Sequence, residues 1–176
     1  MELFEALSAR RSYRGMYRPD PVCREDLKKI MQAALDAPSG CNKQTTSVIA
    51  VDDPALIKQL GAMLERDDFA SAPAAICILT ERIIAYRDRT YYVQDYSAAI
   101  ENALLAITAL GYESCWVEGY VTDENRIGYR MAELLGVPEN LELVCYLPIG
   151  KPAEAGSRVK KLPFEERAWF NGYRKD

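Results

Sequence analysis

Residues 95–110 read DYSAAIENALLAITAL, and Gly111 follows. Between Ala98 and Leu110 only Glu101, Asn102 and Thr108 are polar. The run is too long for an ordinary strand, and its glycine can close a helix in the left-handed conformation. It therefore predicts a helix from about Asp95 to Leu110. A helix apolar on nearly every side must be buried on nearly every side. One small domain seldom wraps a helix so fully. The spacing thus predicts a long central helix covered partly by its own chain and partly by a second copy, in a dimer.

The rest of the chain supplies the layers around it. Residues 2–10 form a short helical pattern with Leu3, Phe4 and Leu7 on one face. Residues 24–36 form a second, in which Leu27, Ile30, Met31, Ala34 and Leu35 follow the helical period. It stops at Ala37-Pro38, because the residue before proline avoids the helical region. The stretch DDPALIKQLGAMLE has Asp53 as a cap and Pro54 in the first turn. TDENRIGYRMAELLG has Thr122 or Asp123 as a cap and ends at Gly136. Strands are expected at 46–51, at 74–80, in SCWVEG ending at Glu118-Gly119, and at 142–150. Residues 81–94 carry charges and tyrosines and are expected to form a peripheral or lid-like segment. Helices and strands alternate only loosely, and two helices precede any strand. This favours one layered domain over 1–176, α+β or α/β, with a mixed sheet rather than a regular doubly wound fold.

Composition narrows the chemistry. The chain has 176 residues, formal net charge −4 and no histidine. Without histidine there is no Ser-His-Asp triad, no Cys-His pair and no His-ligated metal. The five cysteines are scattered with no C-x-x-C spacing, so neither a zinc site nor a disulfide framework is indicated. A sequence pI near 5.1 argues against nucleic acid as a partner. No apolar run approaches the roughly 20 residues of a membrane span. The acidic amphipathic start MELFEALSAR is unlike a signal peptide, and a cytoplasmic protein is expected. Chemistry carried by a cofactor becomes the favoured reading.

Against this acidic background, ARRSYRG (Ala9–Gly15) concentrates three arginines. They could be a solvated helix end or an anion seat of forked guanidinium donors beside the Ser12 hydroxyl. A second basic cluster holds Arg158, Lys160 and Lys161. A phosphate monoester carries roughly −1.5 to −2 charges, so two converging clusters would suit it. PSGCNKQ (Pro38–Gln44) reads as a turn-rich loop or as a ligand-facing one, and no Walker or G-x-G-x-x-G pattern occurs. Cys41 in that loop has no second cysteine nearby in sequence and no histidine to pair with, so a redox role is not favoured.

The order of these pieces is more specific than any one of them. R-R-S-x-R (Arg10–Arg14), P-S-x-x-N-x-Q (Pro38–Gln44), an apolar helix ending in Leu110-Gly111, a strand ending in Glu118-Gly119, L-P-I-G-K-P (Leu147–Pro152) and a basic tail follow one another. This arrangement resembles a compact member of the FMN-dependent nitroreductase family. Thr45 and Thr46 stand where that family often has proline and an aromatic residue. The resemblance implies an α+β fold, a three-layer α/β/α sandwich with a mixed central sheet, in a homodimer with FMN at the subunit interface and a C-terminal tail exchanged between subunits. It implies that Arg10, Arg11 and Ser12 hold the phosphate and ribityl chain and that Arg14 lies near flavin N1 and O2. Pro38, Ser39, Gly40 and Asn42 would reach the flavin from the partner, and Glu118 and Gly119 would lie near N5. One or two of Arg158, Lys160 and Lys161 would complete the phosphate seat. The implied activity passes hydride from NADH or NADPH through N5 to a small electron-poor acceptor, a nitroaromatic or quinone. Reductive dehalogenation, breakdown of the flavin itself, and a non-catalytic FMN-binding or sensing role are the alternatives.

Overall fold

A computed structural model describes residues 1–120 and 126–173. In chain order, α1 is Leu3–Ala9, α2 Arg24–Leu35, β1 Thr46–Val51, α3 Pro54–Met63, α4 Asp67–Ala70 and β2 Ala74–Thr80. Then come α5 Tyr92–Ala109, β3 Val117–Glu118, α6 Ile127–Leu134 and β4 Glu142–Ile149, with single 3-10 turns at Gly40–Asn42 and Phe164–Glu166.

Local signals act as expected at most boundaries. Asp53 accepts hydrogen bonds from Ala55 N (2.8 Å) and Leu56 N (2.9 Å), and Pro54 opens α3. Gly111 and Gly136 take positive φ values of 82° and 66° just beyond α5 and α6. The expected cap at Thr122 or Asp123 lies outside the described residues. α4 was not foreseen, and β3 is shorter than SCWVEG.

The four strands form one sheet in the order β1-β2-β4-β3, and all three pairings are antiparallel. This corrects the expectation of a mixed sheet. The cause is that each helical excursion returns to the sheet end it left. Val51 at the end of β1 pairs with Ala75 at the start of β2, so α3 and α4 turn the chain back. Glu142 likewise pairs with Thr80, after the longer excursion through α5, β3 and α6.

Strand side chains alternate between the faces, which separates two cores. On one face Ala74, Ile76, Ile78, Cys145, Leu147 and Ile149 pack with α2 and α5. On the other, Ala75, Cys77, Leu79, Leu143 and Tyr146 pack with α3, α4 and α6. The three-layer α/β/α arrangement thus holds. A bulge interrupts β4: Leu79 pairs with Leu143 but Ile78 pairs with Cys145, leaving Val144 extra. Bulges re-aim neighbouring groups and often lie beside functional sites. Here the Val144 carbonyl accepts from Gly119 N at 2.9 Å.

No residue of α5 from Asp95 to Ala109 is exposed, even in one protomer. Ile107 is wholly buried in the chain's own core, whereas Leu105 is half-buried and outside both core clusters. Leu3, Phe4 and Leu7 of α1 point outward, with Phe4 81% exposed. The tail from Ser157 to Arg167 is exposed throughout.

Candidate functional site

The arm after α1 is extended and alternates strictly. Tyr13, Gly15 and Tyr17 are buried, while Ser12, Arg14 and Met16 are exposed. Its backbone is stitched to two segments: Tyr13 N donates to Ser114 O (2.8 Å) and Arg18 N to Lys151 O (2.8 Å). Tyr13 and Tyr17 meet edge-on with ring centroids 5.1 Å apart, and the Tyr13 hydroxyl donates to Met16 O at 2.8 Å. These inward tyrosines leave Ser12 and Arg14 facing a cleft of about 890 Å³. Arg10, Arg11, Arg158 and Lys161 also line it, with Glu154 as the one carboxylate among the described residues. The two basic clusters, at opposite ends of the sequence, therefore share one cleft. Lys160 does not line it.

These cations are not equivalent. Arg10 forms an ion pair with Glu101 at 3.0 Å. Arg11 grips Glu113 with two nitrogens, Nε to Oε2 at 3.2 Å and Nη2 to Oε1 at 2.5 Å, and donates to Gly156 O at 2.9 Å. Arg14, Arg158 and Lys161 have no ion pair among the described residues. Cys115 lies close to the arm. Burial pushes its thiol up, partly offset by the Arg14 charge and a hydrogen bond with Ser12.

The loop Pro38–Gln44 stands elsewhere in the protomer. Asp95, buried in the first turn of α5, accepts from Gly40 N and from the Thr45 hydroxyl, each at 2.7 Å. Between these anchors Cys41, Asn42 and Gln44 all have positive φ near 50°. Left-handed non-glycine residues persist only where the surroundings over-determine them. At Gly40 a Cβ would come within 2.7 Å of the Tyr91 ring. Pro38 and Ser39 border a small cleft of about 180 Å³ that includes Asp95.

Glu118 and Gly119 border a third cleft, of about 410 Å³, with Tyr92, Tyr96, Arg126 and Tyr129. Arg82 closes one side, paired to Glu142 at 2.7 Å and stacked on Tyr92 at 5.1 Å. Gly119 is confined by backbone: a Cβ there would collide with the Leu143 carbonyl, and its own carbonyl accepts from Gly128 N at 2.6 Å. Within one protomer, then, Arg10, Arg11, Ser12 and Arg14 meet Arg158 and Lys161, but not Pro38–Asn42 or Glu118–Gly119.

The sequence profile of the nitroreductase family matches residues 7–66 and 61–151. The chain belongs to the nitroreductase family. A protein of Archaeoglobus fulgidus provisionally named NADH dehydrogenase/NAD(P)H nitroreductase is 34% identical over 154 residues, spanning 87% of each chain. An FMN reductase (NAD(P)H) of Bacillus subtilis is 28% identical, covering 93% of this chain and 71% of its own. Among solved structures, an FMN-dependent nitroreductase of Clostridium difficile superposes with a TM-score of 0.79 at 29% identity, over 97% of this chain and 99% of its own. In this nitroreductase-family member the candidate residues of one protomer are dispersed over three clefts.

Sequence reasoning missed three acids: Glu101, Glu113 and Asp95. Each holds a residue or loop that it did find. An aspartate at the start of an apolar helix was the one available signal, and it marked only where the helix begins.

Proposed function

We propose that this chain is an FMN-dependent NAD(P)H oxidoreductase, working as a homodimer on a small electron-poor acceptor such as a nitroaromatic or a quinone. The observation that carries the reading is the convergence of Arg10, Ser12 and Arg14 with Arg158 and Lys161 on one cleft, in a chain of this family. The residues suit a flavin phosphate. Guanidinium and ammonium donors bind phosphate oxygens strongly, and the Ser12 hydroxyl adds a neutral donor. Bound flavin supplies the redox chemistry that no side chain here provides.

The chain's own groups then position and polarise. Arg10 holds the phosphate end while Glu101 fixes its guanidinium. Arg14 would offer a cation to the N1–O2 edge of the ring, where reduction places negative charge. Gly119 presents backbone at the close of β3, held in place by the β4 bulge. Pro38, Ser39, Gly40 and Asn42, braced by Asp95, serve the partner subunit's site. The exposed apolar face of α1, Leu105 and the uncovered tail are the surfaces on which the second subunit packs, with the tails exchanged.

The purified protein should be yellow, and anaerobic NADH or NADPH should bleach it. Colourless protein that takes up no added FMN overturns the reading. Yellow protein that neither nucleotide bleaches is a flavin-binding or sensing protein instead. Reduced protein reoxidised by halophenols but not by nitroaromatics or quinones is a dehalogenase, and loss of the flavin in oxygen marks a flavin-degrading enzyme.

A further inference from the structure

Arg11 sits in the basic arm, yet its guanidinium is already committed. Glu113 takes two of its nitrogens at 2.5 and 3.2 Å, and the Gly156 carbonyl takes the third at 2.9 Å. Both partners are only about one-fifth exposed, so this pair is more sheltered than a surface ion pair. Glu113 is itself fixed, because its backbone N donates to Gly150 O at 2.9 Å at the end of β4. The third bond reaches the root of the tail. Gly156 lies flat against the guanidinium: a Cβ there would come within 3.1 Å of Arg11 Cζ and 2.9 Å of the Tyr13 ring.

Beyond this point no hydrogen bond or ion pair among the described residues ties the tail to the chain's own body. Among the described residues, its later hydrogen bonds are local, as in Arg167 N to Phe164 O at 3.0 Å. Val159, Leu162, Phe164 and Phe170 are all exposed, Phe170 by 80%. Arg11 and Glu113 thus grip the last anchored residue before Arg158 and Lys161 enter the cleft.

We propose that Arg11 and Glu113 form a latch that fixes where the tail leaves the domain, so that Arg11 positions the phosphate-binding tail rather than binding phosphate itself. This rests on the FMN reading above for its consequence, but not for the latch. Two planar forks joined edge to edge by paired hydrogen bonds have a geometry that lysine cannot reproduce.

The two roles make opposite predictions for Glu113→Ala. If Arg11 were a phosphate ligand restrained by Glu113, freeing it would tighten FMN binding. If the pair is a latch, Glu113→Ala and Arg11→Ala should each weaken FMN binding roughly tenfold, as for loss of a charge-assisted hydrogen-bond pair. The double variant should be no worse than either single one. The same variants, as full-length protein without added FMN, should lose the tail to chymotrypsin faster at Phe164 and Phe170. Arg11→Lys should fail to restore either property, and Gly156→Ala, which leaves both charges in place, should reproduce the tail cleavage. Circular dichroism confirms that each variant is folded. Tighter FMN binding by Glu113→Ala, or weaker binding by Arg11→Ala with unchanged tail cleavage and rescue by Arg11→Lys, overturns the latch. Wild-type protein that binds no FMN would defeat the functional reading, while the proteolysis would still judge the latch.

Discussion

Asp95 is a carboxylate only 4% exposed, with no ion pair among the described residues. Its cost of burial is offset by two short hydrogen bonds, and in return it holds both ends of a loop with three left-handed residues. Asp95→Ala strands the Gly40 N–H and the Thr45 hydroxyl, and should lower unfolding free energy by roughly 3 kcal/mol in a urea titration. Asp95→Asn keeps an acceptor for Gly40 and can donate to Thr45, so it should recover most of that loss. The cysteines give a second test. Burial pushes the Cys77 thiol up to about 12 and raises Cys145 as well. At pH 8 these thiols stay protonated and shielded, and only thiolate reacts. A thiol-specific disulfide reagent should therefore label Cys23 and Cys41 rapidly in the native protein, and all five cysteines only after unfolding.

The junction of β3, the β4 bulge and α6 explains why a glycine follows Glu118. The backbones of Leu143 and Val144 crowd Gly119 so closely that no Cβ fits. Since the obstacles are main chain rather than a side-chain tip, Gly119→Ala should destabilise the fold by roughly 2–3 kcal/mol, measured by denaturant unfolding. The motif Glu-Gly was visible in the sequence as a strand end. Its steric cause was not, because the extra residue Val144 that shapes the junction belongs to another strand. The helices were more legible. Capping by Asp53, closure at Gly111 and the apolar period of α2 depend on neighbours within a few residues, so their outcome follows from local chemistry.

The apolar helix α5 argued for a second subunit, and the structure sorts its residues by role. Ile107 faces the chain's own core at 0% exposure, so Ile107→Asp should unfold the protomer. Leu105 remains half-buried on α5, which packs against α1, and Leu3 and Phe4 of α1 are 61% and 81% exposed. Leu105→Asp should instead yield a folded chain of halved mass in light scattering, with weakened flavin retention. A folded dimer from Leu105→Asp would place the interface elsewhere.

The periods and breakers in the chain determined its helices, strands and layered α+β class, because these patterns act over short distances. They also marked the basic arm and basic tail as candidates, since charge excess shows in composition. Only the tertiary structure decided how they combine. The sheet is antiparallel because the intervening helices return to their starting end. Arg11 is paired because Glu113 arrives from 102 positions away, and the loop at Gly40 is held because Asp95 arrives from 55. Such partners are chosen by the packing of whole elements, and no local pattern encodes them.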